Sequence, residues 1–303
     1  MIRYVRGWLQ VNRPSLFRER KPIWFVNLGM PAASYDELNL AKPYRRVGTA
    51  ALQLAKGASP ITVEATRLFL NNPSVERAGE SRRAAEETGV AVFPEAAAEM
   101  TGFAKSTRNA PGLYLLVDVG AMTLDVCMFR LTHRNNPDGT ASDHYLFMAA
   151  QIRPLGVDSF HWFLADGKSE PEFVDQCEGT LRTVVWYTKK KRDPHAECWK
   201  PGNDVPVFLT GGGSANRLHQ DILGFLGPWL RHDAGNDGIR LLKLPVPTAI
   251  NLPEPLQDFS RMAVAWGLTY PDIGEIHPKC SVPDIPSPPV RHDTDVFISK
   301  DHV

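Results

Sequence analysis

Between Leu113 and Leu131 the chain reads LYLLVDVGAMTLDVCMFRL, apolar enough for two buried strands, yet it carries Asp118, Gly120, Thr123 and a second acid, Asp125. A carboxylate at a strand end can hold a Mg2+-bound water or orient an attacking one. A glycine just after a buried strand lets the backbone approach a ligand closely, and successive amides in such a turn can hold a phosphate. The Thr123 hydroxyl is placed to hydrogen-bond a terminal phosphate. The plainer alternative is that Asp118, Thr123 and Asp125 only cap a tight turn.

A second glycine turn, TGGGSAN from Thr210 to Asn216, follows the apolar run VPVFL. It can cradle a phosphate or a sugar, or it can merely connect a strand to a helix. Neither the GxGxxG dinucleotide pattern nor the GxxxxGK[ST] phosphate loop is present. An esterase elbow requires GxSxG, and Ser214 is followed by Ala215 and Asn216. His195 and Cys198 form one HxxC pair, with no second pair to complete a tetrahedral zinc site. None of the nine histidines stands beside a suitable Ser, Cys or paired acid, so surface and turn positions are expected for most of them. Trp24, Trp162, Trp186 and Trp266 lie on apolar faces and are expected in the core.

The elements that must position these turns follow from periodicity. Ile2, Val5, Trp8 and Leu9 suggest a short amphipathic helix, and IWFVNLGMP from Ile23 reads as a buried strand. Helices are expected from about Tyr35 to Lys56, within SPITVEATRLFLNN, within VERAGESRRAAEETG, and after the short strand VAVF, where Pro94 stands in the first turn of PEAAAEMTGFAKS. A hairpin of Leu113–Val119 and Leu124–Leu131 is joined through HRNNPDGTASD to a third strand, HYLFMAAQI. A helix follows PLGVDSF, and another spans about Glu172 to Lys191. VPVFLTGGGSAN then reads as strand, turn and helix start, IRLLKLPV as a last strand and LQDFSRMAVAWGLTY as a last helix. From Pro271 onward prolines accumulate, and an irregular tail is expected. Strands alternating with helices around one antiparallel meander make an α/β chain with a mixed sheet.

The bulk numbers suit a soluble globular protein: 303 residues, 43% hydrophobic, 22% charged, with 34 Lys plus Arg against 34 Asp plus Glu. A net charge of zero supplies no global field toward nucleic acid or an anionic membrane. The N-terminus is too polar for a signal peptide and no apolar run is long enough to span a bilayer. Scattered cysteines point to free thiols, and the expectation is a cytoplasmic protein bound to neither nucleic acid nor membrane.

Taken together and in order, the motifs resemble the actin, Hsp70 and sugar-kinase superfamily. VDVGAMTLDVCMF resembles its second phosphate motif, nearest to the TTLD-like form of plasmid-segregation actins. VFLTGGGSANRLHQDIL resembles the adenosine motif, VAVFPEAAAEMTGFA the connecting segment, PLGVDSF the LGGxDFD turn and FSRMAVAWGL the closing helix. The resemblance covers roughly Ile23 to Leu268. It implies a two-lobed actin-like ATPase fold of ribonuclease-H-like sheets, here with an incomplete first lobe. Residues 1–22 would be a basic N-terminal segment, 23–110 a partial first lobe, 111–270 a second lobe with a reduced insert at about 159–204, and 271–303 a proline-rich tail.

By the same resemblance, ATP would lie in the interlobe cleft and be hydrolysed with Mg2+ to drive a conformational switch of chaperone type, with a protein partner or client. Asp118 would stand near the metal and attacking water, with Thr123 and Glu95 as further catalytic groups. Gly120, Ala121, Met122, Gly156, Asp158, Gly211, Gly212, Gly213 and Ser214 would line the nucleotide site. Lys189 or Lys190, in the basic run TKKKRDPH, would lie near adenine, unless that run is simply a solvated helix end.

Several departures bear on this. The first phosphate motif, a DxGTxxS-like hairpin, is missing, and relatives usually have glycines where Ala121 and Met122 stand. The connecting acid normally precedes the proline, where Phe93 stands, whereas Glu95 follows Pro94. The cation that stacks on adenine in Hsp70 aligns near Ala215, with Arg217 as a substitute. Without the N-terminal strands, the strand at Ile23–Leu28 would keep an unpaired edge. That edge would be covered by residues 1–22 or by a partner, or the chain is a fragment of a longer gene. The alternative to an ATPase is therefore a catalytically inactive member acting as an interaction or scaffold protein.

Overall fold

The computed structural model describes residues 1–18, 23–35, 38–57, 59–75, 89–106, 109–135, 141–248, 259–270 and 273–278. The principal helices among them are α1 (Ile2–Asn12), α2 (Leu38–Lys56), α3 (Val63–Leu70), α4 (Glu95–Ala104), α5 (Val157–Ala165), α6 (Glu170–Tyr187), α7 (Arg217–Ala234) and α8 (Ala263–Gly267). The strands are β1 (Val26–Met30), β2 (Val90–Pro94), β3 (Gly112–Val119), β4 (Leu124–Asn135), β5 (Ala141–Arg153), β6 (Val205–Thr210), β7 (Ile239–Leu242) and β8 (Glu275–Pro278). Two compact units form, one from Met1–Gly112, Arg130–Phe147 and Lys243–Ser281, the other from Leu113–Phe129 and Met148–Leu242.

In the first unit β1 and β2 pair in parallel, Val26 opposite Val90 through Met30 opposite Pro94. α2 packs on both strands and also against α1 and α3, so Ala41, Ala50, Leu52, Leu54 and Ala55 are buried on more than one side of it. The carboxyl end of α2 is held by α1. Arg3 Nη1 donates to Ser59 O at 2.7 Å, Arg3 Nη2 to Leu54 O and Gly57 O at 2.7 and 2.8 Å, and Arg6 Nη1 to Ala55 O at 2.9 Å. These guanidinium groups satisfy carbonyls that a helix end leaves without partners and place positive charge at the negative pole of its dipole. α4 is buried along nearly its whole length and packs on α8.

A six-stranded sheet runs in the order β7-β6-β3-β4-β5-β8. β3 with β6, β6 with β7 and β5 with β8 are parallel. The four residues between β3 and β4 are too few for a parallel crossover, which takes a dozen or more, so that pair runs antiparallel and the sheet is mixed. The architecture is therefore α/β with a mixed sheet, as the alternation of elements predicts.

β3 is buried on both faces from Leu113 to Val117, which explains why it reads as an unbroken apolar run rather than an alternating one. In the second unit α6 packs on α7, and Phe173 meets Phe160, Phe163 and the His219 ring edge-on at centroid distances of 5.1, 5.4 and 6.0 Å. Cys127, Cys177 and Cys198 are buried and stand outside any disulfide. Burial, helped by the nearby Glu178 charge, pushes the Cys177 thiol up to about 12.

Several expectations need correction. Glu275–Pro278 is a strand rather than part of an irregular tail. The last helix is shorter than its pattern suggests: a 3-10 turn at Phe259–Arg261 precedes the five residues of α8. Trp162 is exposed on α5, whose buried positions are Ser159 and Phe163. His144 and His219 are buried rather than at the surface. The helix expected in VERAGESRRAAEETG falls mostly outside the described residues, as do residues 136–140 of the hairpin turn and everything beyond Pro278, Cys280 included. No helix among the described residues is long and apolar enough to cross a membrane.

Candidate functional site

Parallel pairing of β3 with β6 sets Asp118 opposite Thr210, so both strands deliver their carboxyl ends side by side. The two glycine turns follow at that shared end, which is where open α/β sheets present their ligands. The turns touch through backbone. The Gly213 amide donates to Val119 O at 2.7 Å, and the Thr210 hydroxyl donates to Val117 O at 3.3 Å. Gly211 has φ +83° and lies so close to β3 that a Cβ would run into Asp118 Oδ1 and the Val119 carbonyl. Any other residue would be strained in backbone and blocked in space.

The turn after β3 is fixed by its carbonyls. The Gly120 amide closes it on Thr123 O at 2.8 Å. The carbonyls of Gly120, Ala121 and Met122 then accept from the amides of Val157, Asp158 and Gly156 at 3.1, 2.7 and 3.2 Å. Ser159 Oγ adds a bond to Met122 O at 2.6 Å. A trans peptide points its C=O and N–H in opposite directions. Three consecutive carbonyls directed at the start of α5 therefore turn the amides of Ala121, Met122 and Thr123 away from it. Consecutive amides facing one way form a concavity that suits an anion. The approach of α5 requires Gly156, where a Cβ would stand 2.5 Å from both Ala121 O and Thr123 N.

Burial pushes the Asp118 carboxyl up from its ordinary value, the shift expected of a carboxylate taken out of water with little to compensate it. Such a group beside glycine turns is a site candidate on physical grounds. Asp125, the second residue of β4, is half-buried. Ala121 and Met122 are exposed, as is Gly212, whereas Gly213 and Ser214 are buried. Ser214 joins the second turn by its backbone: its amide donates to Gly211 O at 3.2 Å, and its carbonyl accepts from Gln220 Nε2 at 2.9 Å. Asn216 caps α7 through its side chain, accepting from the His219 amide.

Asp118, Gly120, Ala121, Met122, Thr123, Gly156, Asp158, Gly211, Gly212, Gly213 and Ser214 all belong to the second unit. Gly156 and Asp158 hold the turn through their amides, and the Asp158 side chain is exposed. Glu95 belongs to the first unit, in the first turn of α4, where its side chain lies against Gly29 of β1. Arg217 is solvent-exposed, 3.9 Å from Asp221 Oδ2. Lys189 ties down the end of α7, donating to Asp233 O at 3.0 Å. Burial pulls its ammonium pKa down, against the Asp233 charge. It sits in a five-residue π-turn, Thr188–Arg192, that extends α6. The plain reading of the basic run as a helix end accounts for this residue.

Three contributors escaped the sequence. Ser159 secures the turn through its hydroxyl, His219 Nε2 donates to Leu155 O at 2.9 Å, and Val157 contributes both an amide and a side chain packed where a Cβ on Gly213 would fall. Asn216 three residues before His219 is a cap signature that could have flagged the second of them. No protein-family model matches this chain, and no curated protein matches it either.

Proposed function

We propose that the paired turns of the second unit bind the phosphates of a nucleotide, ATP with Mg2+, in an actin- and Hsp70-like manner. The observation that supports this most is the run of carbonyls from Gly120 to Met122 held by the start of α5, which leaves the next three amides directed together and away from it. The amides of Ala121, Met122 and Thr123 would bind phosphate oxygens. The Gly211–Gly213 backbone would pass close to the ribose and base, and the Thr123 hydroxyl would donate to a phosphate. Asp118 would hold a water of the hydrated metal. A magnesium ion there supplies charge neutralisation for the phosphates, and Asp118, raised by burial, would ionise fully on meeting it. The chain is then an ATP-driven conformational switch.

Calorimetry with ATP and Mg2+ tests this. The native protein should give heat of binding at submillimolar nucleotide, and Asp118→Asn should lose the Mg2+-dependent part. No heat at millimolar ATP would end the reading. Phosphate release should accompany binding and disappear in Asp118→Asn.

A second reading, an interaction protein without turnover, is favoured by the first unit. Tyr4, Trp8 and Val11 are spaced along one side of α1 and are large, apolar and exposed, as are Ile23 and Phe25 ahead of β1; a contiguous exposed apolar stripe marks a partner surface. Nucleotide binding with no phosphate release in the native protein would select it.

A further inference from the structure

The nine histidines include a pair that no local pattern connects. β5 and β8 run parallel with His144 opposite Glu275, and His277 follows Glu275 by two residues. Side chains alternate along a strand and register partners share a face, so His144, Glu275 and His277 all leave the sheet on the same side. Their donor atoms converge. His144 Nδ1 is 2.9 Å from His277 Nε2, and each of these nitrogens is 3.4 Å from Glu275 Oε2.

We propose that His144, Glu275 and His277 bind one divalent transition-metal ion of the zinc class, which pins β8 to β5. A tetrahedral ion with bonds of about 2.0–2.2 Å sets its ligand atoms about 3.3–3.5 Å apart. Two of the three separations already have that length, and the nitrogen pair opens by about half an ångström to match. The two rings lie 8° from coplanar in orientation, centroids 5.1 Å apart, so this opening is a small slide rather than a rotation.

The donor set selects the ion. Two imidazoles and one carboxylate suit zinc, cobalt or nickel, whereas magnesium and calcium take oxygen ligands alone. A supporting partner is in place: His144 Nε2 meets Ser142 Oγ at 3.0 Å. Metal-bound imidazoles are oriented by just such a bond from the far ring nitrogen. With Nε2 carrying the proton toward Ser142, Nδ1 offers its lone pair to the ion. His144 is 3% exposed, while His277 and Glu275 are 41% and 61% exposed at their side chains. One ligand is therefore anchored in the protein while the other two face solvent, through which the ion enters and from which a fourth ligand, water, is drawn. The neighbouring Asp143 points to the other face, where it meets His133 at 2.8 Å and Lys105 at 3.5 Å, so it does not compete.

The consequence is mechanical. β8 has four residues and joins a strand 131 positions earlier, Glu275 opposite His144. Closing so long a loop for so short a strand is entropically unfavourable, and a coordinated ion adds bonds that exist only when the two strands are paired. This site uses none of the residues assigned to phosphate binding, and it stands or falls independently of that assignment.

The test is titration of the chelator-treated full-length protein with Co2+, followed by Zn2+ competition. One equivalent of cobalt should give the visible absorption of a four-coordinate ion with nitrogen and oxygen ligands, and one equivalent of zinc should displace it. Zinc should also raise the thermal midpoint. His144→Ala disturbs a buried position, so the decisive variants are the solvent-facing His277→Ala and Glu275→Gln. Each removes a direct ligand, so it should weaken binding at least about 100-fold, the upper end of what losing an outer-shell partner does, and abolish the thermal shift. No four-coordinate cobalt spectrum in the native protein overturns the proposal, as does native-like affinity in both variants. The His144–His277 contact is then an ordinary hydrogen bond.

Discussion

Each unit sets a carboxylate against a glycine at the carboxyl end of a parallel strand pair: Glu95 against Gly29 in the first, Asp118 against Gly211 in the second. The likeness ends at what does the holding. Glu95 stands in the first turn of α4, where the helix dipole favours its charge, and what lies near Gly29 is the Glu95 side chain itself. Around Gly211 and Gly156 the close neighbours include backbone atoms of Val119, Ala121 and Thr123. A side chain can swing aside, whereas a backbone held in a hydrogen-bonded turn cannot. The second site is rigid because it is built from main chain, and this rigidity suits it to present amides in a fixed direction.

The largest expected effect tests that contrast directly. Gly156→Ala should cost about 2–3 kcal/mol in urea unfolding, because the new methyl meets backbone on both sides. Gly29→Ala, which meets the Glu95 side chain at its Cγ, should cost less, about 1–2 kcal/mol, because that side chain must turn about its Cα–Cβ bond to clear the methyl. Equal losses would erase the distinction. Next comes the grip of α1 on α2. Removing both arginines, Arg3→Ala with Arg6→Ala, deletes four hydrogen bonds and should cost about 1–2 kcal/mol. Hydrogen exchange should show the loss confined to α1 and the last turn of α2, with the second unit unmoved.

Smaller effects appear in pH dependence, and both lie in the second unit. His219 is buried and its pKa is lowered from 6.5 by that burial, against the bond to Leu155 O. The unfolded chain binds the proton more readily, so stability falls as pH drops below about 6.5 and stops falling once the folded state also protonates. His219→Gln should flatten that slope. Asp118 has the opposite sign: its pKa is raised by burial above 3.8, so its contribution is fully present below that pH and lost as pH rises through the folded value. Asp118→Asn should therefore stabilise the protein at neutral pH while abolishing Mg2+-dependent binding, a trade between stability and function. Smallest of all, Lys200→Ala removes an exposed pair with Glu197 and should shift stability by less than about 0.5 kcal/mol.

What could be read from the sequence was local. The three-strand meander and both glycine turns follow from apolar runs broken by Asp118, Gly120 and Gly211, and the strands end within a few residues of where the pattern places them. The N-caps at Ser169 and Asn216 are similarly written in their own neighbourhoods. What escaped depends on pairing between distant segments. β8 hides among prolines because its ladder partner lies far upstream, and only the register of that pair unites His144 with Glu275 and His277. A glycine turn permits consecutive amides to face one way, but the bonds that hold the Gly120, Ala121 and Met122 carbonyls come from Gly156, Val157 and Asp158, more than thirty residues later.

The buried thiols of Cys127, Cys177 and Cys198 make the second unit its own clock. A thiol shielded by packing reacts with an alkylating reagent only while its surroundings are open, and burial also holds Cys177 protonated. Pulse labelling followed by mass analysis, with Cys280 replaced by serine, would then time each excursion of that unit without any introduced probe. Run with and without nucleotide, it would report whether a ligand slows those openings.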